Sequence, residues 1–133
     1  MIVGFVNGCF DVLHIGHIRM LRHAKSKCER LYVAIDSDSR VKKAKGSDRP
    51  INNQEDRAEF LISLTCVDDV LIFNSDKELT SLVKSINPDV MMVGSEYKNK
   101  KVIGSEYAKQ LIFFERIAGY STSKIVKSSS NRR

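Results

Sequence analysis

Cysteine is scarce in this chain: Cys9, Cys28 and Cys66 are odd in number and far apart, with no CxxC pair and no HxxxH downstream. That spacing supports neither a disulfide framework nor a zinc site, so the three read as ordinary thiols in a reducing compartment. Long hydrophobic runs are also missing, and nothing approaches the roughly 20 apolar residues that a bilayer-spanning helix requires. The apolar opening, Met1 to Val6, meets Asn7-Gly8 too soon for a signal peptide, which points to a cytoplasmic protein. Only two prolines occur, and the composition carries no collagen-like, repeat or disordered signature. Aromatic residues make up 8% and fall mainly inside apolar runs, which leaves no interleaved platform for stacking nucleic-acid bases.

What is present is a 133-residue chain with 42% hydrophobic and 29% charged residues, enough for one domain with a real core. Residues 1–127 read as that domain and residues 128–133 as a polar, basic tail that frays. The formal net charge is +6, and its placement matters more than its size. Residues 40–49 hold Arg40, Lys42, Lys43, Lys45 and Arg49 against Asp48, and residues 124–133 hold Lys124, Lys127, Arg132 and Arg133 with no acid. The remainder is slightly acidic.

Five short apolar runs, at residues 2–6, 31–35, 70–73, 90–93 and 111–114, read as strands buried on both faces. Between them lie helical patterns: Ile18, Leu21, Ala24 and Cys28; Ala58, Leu61 and Ile62; and Leu79, Leu82, Val83 and Ile86, closed by Pro88. Strands alternating with helices predict an α/β fold, a Rossmann-like doubly wound five-stranded parallel sheet with helices on both faces. Ligands bind such sheets beyond the carboxyl ends of the strands, so the loops after residues 6, 35, 93 and 114 are where chemistry belongs.

The first of these loops runs Asn7-Gly8-Cys9-Phe10-Asp11-Val12-Leu13-His14-Ile15-Gly16-His17. Gly8 lets backbone approach a ligand closely, and a helix starting at Gly16 offers unpaired N–H groups and a dipole that favour an anion. His14 and His17, three apart, can aim ring nitrogens at one phosphate. Two histidines on one turn also fit a satisfied surface or a metal pair.

These residues resemble the nucleotidylyltransferases with an HxGH signature, and the likeness covers residues 3–127. It is carried by Asn7 to Asp11, by His14 to His17, by Lys45-Gly46 with Arg49-Pro50, and by Glu55-Asp56-Arg57. Pro88-Asp89, Gly94-Ser95-Glu96-Tyr97-Lys98 and Gly119 to Ile125 complete it. Within the family, the heptose 1-phosphate adenylyltransferase domain and glycerol-3-phosphate cytidylyltransferase look most similar. The front half leans to the first. Arg116 and Lys124 lean to the second, and Ala118 stands where both commonly carry an acid.

The resemblance implies that a substrate phosphate oxygen attacks the α-phosphorus of ATP or CTP and releases pyrophosphate, with Mg²⁺ bridging the triphosphate. The acceptor is a phosphorylated sugar or polyol, a heptose 1-phosphate-like one favoured. His14 and His17 are assigned to the phosphates and the transition state, where a protonated ring is useful. Lys45, with Lys42 or Lys43 beside it, and Arg57 complete the catalytic set by neutralising the triphosphate. Gly8, Cys9, Phe10, Asp11 and Gly94 join the nucleotide site, while Ser121, Thr122 and Ser123 cradle the terminal phosphates at a second helix start. Asp36, Asp38, Tyr97 and Lys98 fall to the acceptor. No residue is assigned as a metal ligand. Cys9 serves as a small packing residue, because the chemistry needs no nucleophile from protein. Relatives of this size commonly pair as homodimers. Plainer roles exist for several of these: a solvated basic loop, a plain Ser-Thr-Ser cap, and Arg57 paired on its own surface with Glu55 or Glu59. A basic nucleic-acid-binding module and a nucleotide-binding sensor are the competing classes, and neither nucleic acid nor membrane is expected as a partner.

Overall fold

The structure is a computed structural model and describes residues 1–115. Five strands, β1 (Val3–Gly8), β2 (Arg30–Asp36), β3 (Asp69–Phe73), β4 (Val90–Gly94) and β5 (Gln110–Phe114), form one sheet in the order β3-β2-β1-β4-β5. Every pairing is parallel. Four helices connect them: α1 (Ile15–Ser26), α2 (Asp38–Lys45), α3 (Gln54–Ile62) and α4 (Asp76–Ile86). Two single 3₁₀ turns, Ser95–Tyr97 and Ser105–Tyr107, lie between β4 and β5. This is the expected doubly wound α/β architecture.

Period-two alternation divides the core between the two sheet faces. Val6, Leu31, Val33, Ile35 and Met92 pack with Leu21 and Ala24 of α1 and Leu61 of α3. Phe5, Ala34, Phe73, Met91 and Val93 pack with Leu79 and Val83 of α4 on the other face. Burial on both faces is what made β1, β2 and β4 continuous apolar runs. The two edge strands depart from that expectation. Ile72 of β3 is 39% exposed, and residues 111–114 of β5, expected as core, are half-buried while still packing against both clusters.

Each helix start is capped by a side chain. Ser37, Asn53 and Ser75 accept from the N–H groups of Arg40, Asp56 and Glu78, satisfying donors that a first turn leaves open. Helix α4 stops at Asn87, whose left-handed backbone (φ 48°) precedes Pro88. Helix α2 corrects the reading of residues 40–45 as a loop. Its one buried residue is Val41, so no apolar stripe betrayed it. No helix among the described residues is long and apolar enough to cross a membrane. Strand order reverses between β1 and β4, which opens the crevice above Gly8 and Gly94.

Candidate active site

A cavity of about 420 Å³ occupies that crevice. The end of β1 and the following turn supply Asn7, Gly8, Cys9 and Phe10, α1 supplies Gly16, His17 and Met20, and His14 caps it. Asp36, Arg40 and Lys45 line it from β2 and α2, and Phe73 and Leu79 from β3 and α4. Gly94, Glu96, Tyr97, Ile103 and Phe114 form the β4–β5 side. The turn after β1 is tightly built. Phe10 holds a left-handed backbone (φ 51°) and folds its ring over Gly8, where a Cβ would lie 2.9 Å from Phe10 Cε2. Gly8 is therefore required by its neighbour's ring as well as by a ligand's approach.

The two histidines form a reciprocal cap. His14 Nδ1 accepts from the Gly16 N–H at 3.0 Å, and His17 Nδ1 accepts from the His14 N–H at 3.2 Å. Their rings stack with centroids 3.8 Å apart, and His17 also tilts against Phe10 at 5.2 Å. A ring nitrogen that accepts a hydrogen bond carries no proton, so both imidazoles are neutral with hydrogen on Nε2. In this arrangement a second proton would set two donors against each other in each cap. The reciprocal cap places both rings at the opening of α1, whose dipole favours an anion.

Asp11 does not line the cavity. Its carboxylate is 1% exposed and accepts from Arg49 Nε at 2.8 Å and from the N–H groups of Ile51 and Asn52 at 2.9 Å each. Burial alone would raise this carboxyl, but the Asn52 and Ile51 N–H groups and Arg49 outweigh it and hold Asp11 below the usual aspartate value. Its role is to tie the β1 turn to the segment before α3.

Arg57 likewise stays out of the cavity, against its assignment to the phosphates. Its side chain is fully buried, and the guanidinium donates to the carbonyls of Asn52 (3.0 Å), Cys9 (2.9 Å) and Asp36 (2.7 Å) and to Asp38 Oδ1 (2.8 Å). Surface pairing with Glu55 or Glu59 is equally excluded by that burial. Arg57 is thus a positioning residue that fixes the turn after β1 and the end of β2. Asp38, expected at the acceptor, is engaged by Arg57 and lies outside the cavity lining.

Of the cations read as one basic loop, Lys45 and Arg40 reach the cavity, while Lys42 and Lys43 do not. Tyr97 lines it and Lys98 does not. The Cys9 thiol is pushed up by burial, partly offset by Lys45 and Arg57, which keeps it protonated and unsuited to nucleophilic attack. Ser121, Thr122, Ser123 and Lys124 lie outside the described residues. Sequence reasoning missed Arg40, Phe73, Glu96 and Phe114 as lining residues. The signal for Arg40 was its spacing of four from Asp36, legible only once α2 is known to be helical.

Comparison with known proteins bears on this site. The chain is 46% identical over 124 residues to the "bifunctional protein HldE" of Helicobacter hepaticus, covering 93% of this chain and 26% of that protein. It is 40% identical over 131 residues to the protein of the same name from Hyphomonas neptunium, covering 96% and 27%. The chain therefore spans about a quarter of the length of these relatives. Among solved structures, it is similar to a lipopolysaccharide core biosynthesis protein from Thermoplasma volcanium, with a TM-score of 0.68 at 24% identity over 91% of this chain and 99% of that one. A pantothenate synthetase from Thermus thermophilus shares the fold with a TM-score of 0.62 at 11% identity, over 96% and 64%. A family model described as cytidylyltransferase-like matches residues 5–128, and with the HxGH turn placed at the strand-order reversal, the chain belongs to the cytidylyltransferase-like family.

Proposed function

We propose that this chain is a nucleotidyltransferase that moves the nucleoside monophosphate of ATP or CTP onto a phosphorylated sugar or polyol and releases pyrophosphate. The observation that carries the proposal is the convergence of the His14 and His17 imidazoles, Lys45 and the α1 N-terminus on one cavity. Family membership and identity to the HldE proteins favour a heptose 1-phosphate-like acceptor over glycerol 3-phosphate.

In this reaction an oxygen of the acceptor phosphate forms a bond to the α-phosphorus while the bond to the pyrophosphate oxygen breaks. Negative charge grows on the phosphoryl oxygens and the leaving group, so catalysis consists of positioning and charge stabilisation. Neutral Nε2–H groups on a rigid cap donate without rearrangement, and Lys45 supplies a positive charge at the end of α2. Mg²⁺ would arrive with the triphosphate, whose close-packed charges it offsets.

The test is pyrophosphate release with Mg²⁺, each of ATP and CTP, and a panel containing heptose 1-phosphate, other sugar 1-phosphates and glycerol 3-phosphate. Release that depends on a sugar or polyol phosphate supports the proposal. Release with none of them, in a protein that binds nucleotide, rejects it in favour of a nucleotide sensor.

A further inference from the structure

On the side of the cavity formed by β2 and β3, the Arg40 guanidinium, to which the sequence assigned no role, is locked into a cluster with Asp36, which the family resemblance places at the acceptor. Arg40 Nε donates to Asp36 Oδ1 at 2.7 Å, and Nη2 donates to Asp76 at the start of α4. The guanidinium lies over the Phe73 ring at 5.2 Å. The backbone beneath is equally fixed, because Asp36 pairs in register with Phe73 and its carbonyl accepts from Arg57. Asp36 and Arg40 both line the cavity, and their side chains are 22% and 28% exposed. Among the described residues, Asp36 Oδ2 and Arg40 Nη1 take part in no hydrogen bond.

Two carboxylates around one guanidinium leave the cluster short of positive charge, which suits it poorly to a phosphate. A carboxylate oxygen beside a guanidinium N–H is instead an acceptor next to a donor. A hydroxyl both donates and accepts, so adjacent hydroxyls match that pair. Phe73 and Leu79 supply the apolar wall against which a carbon chain or sugar ring can lie. We propose that Asp36 and Arg40 form the subsite that reads the hydroxyls of the acceptor, with Asp76 and Phe73 holding Arg40 in place. This rests on the nucleotidyltransferase reading and adds the feature of the acceptor that is recognised: neighbouring hydroxyls, apart from its phosphate.

The experiment measures binding without turnover. Wild type, Asp36→Asn and Arg40→Met are titrated by calorimetry with inorganic phosphate, mannose 1-phosphate, ATP and CTP. Wild type should prefer mannose 1-phosphate to inorganic phosphate by about tenfold or more, as charged hydrogen bonds to hydroxyls supply. Both substitutions should reduce that preference to about threefold or less, and leave nucleotide affinity within about twofold, for the same reason. Their effects on inorganic phosphate should run in opposite directions, because one removes a negative and the other a positive charge. Asp36→Asn keeps the shape of the side chain and carries the test if Arg40→Met fails to fold. No preference in wild type, or a preference that survives Asp36→Asn, overturns the proposal. So does a fall in ATP or CTP affinity with the sugar preference intact, which would place the pair on the ribose. Pyrophosphate release from no combination of substrates would count against the activity alone, since the binding ratio is read independently.

Discussion

His14 Nδ1 caps helix α1, and in the proposed reaction the same ring donates from Nε2. The two roles can be separated. His14→Ala and His17→Ala should each lower turnover about 100-fold or more, the scale of losing a positioned transition-state donor. His14→Ala should also lose about 1 kcal/mol of stability with the cap, whereas His14→Asn should recover the cap and none of the turnover. Steady-state rates and urea unfolding on the three variants check both halves. A folded alanine variant with near wild-type turnover would remove that histidine from the mechanism. Arg57 behaves differently, since it touches carbonyls and Asp38 and not the cavity. Arg57→Met should destabilise by about 3 kcal/mol or more by orphaning buried acceptors and a carboxylate. A melt close to wild type would show that the clamp on Cys9 and Asp36 is dispensable.

At the scale of elements, legibility followed burial. Strands β1, β2 and β4 announced themselves because both faces are covered, and α4 because Leu79 and Val83 repeat on one side. Helix α2 was hidden by its composition, with Arg40, Lys42, Lys43 and Lys45 around a single buried Val41. The HxGH turn was legible through its resemblance to the nucleotidylyltransferases, since two histidines on one turn also suit a surface or a metal pair, and the direction of each ring nitrogen was not legible. Arg57 and Asp11 were misplaced for a general reason. A charged residue looks the same in sequence whether it meets a ligand or is consumed by backbone carbonyls and N–H groups, and only long-range contacts such as Arg57 with Cys9 distinguish the two. Placing Lys45 in the last turn of α2 sharpens its prediction. Lys45→Glu should weaken triphosphate binding far more than monophosphate binding, because the more highly charged ligand feels the reversal most. Some stability should also be lost, because an acid replaces a base at the negative end of the helix. Equal loss for both ligands in calorimetry would detach Lys45 from the outer phosphates.

For the whole molecule, carboxylates that bond to the ends of the strands carry a pH-dependent share of the stability. Asp68 accepts from Lys25 and from the Leu31 N–H, and Asp89 accepts from the Val3 N–H and from Lys109. Both lie at the amino ends of the strands, opposite the cavity. Lys25 chiefly lowers the Asp68 carboxyl, and the Val3 N–H chiefly lowers that of Asp89. Asp11, at the other end, is lowered by its backbone and Arg49 hydrogen bonds against the pull of burial. Each group therefore binds a proton less readily folded than unfolded. Its contribution is complete above the ordinary aspartate range, near about pH 4, and is lost as the pH falls through the lower folded values. The melting temperature should accordingly change little on this account between neutrality and about pH 5 and fall steeply below about pH 4. Asp11→Asn should melt lower than wild type at neutral pH and show a shallower acid decline, since the buried carboxylate no longer has a proton to gain. An acid decline as steep in Asp11→Asn as in wild type would mean that this carboxylate, for all its hydrogen bonds, is not among the groups whose protonation unfolds the protein.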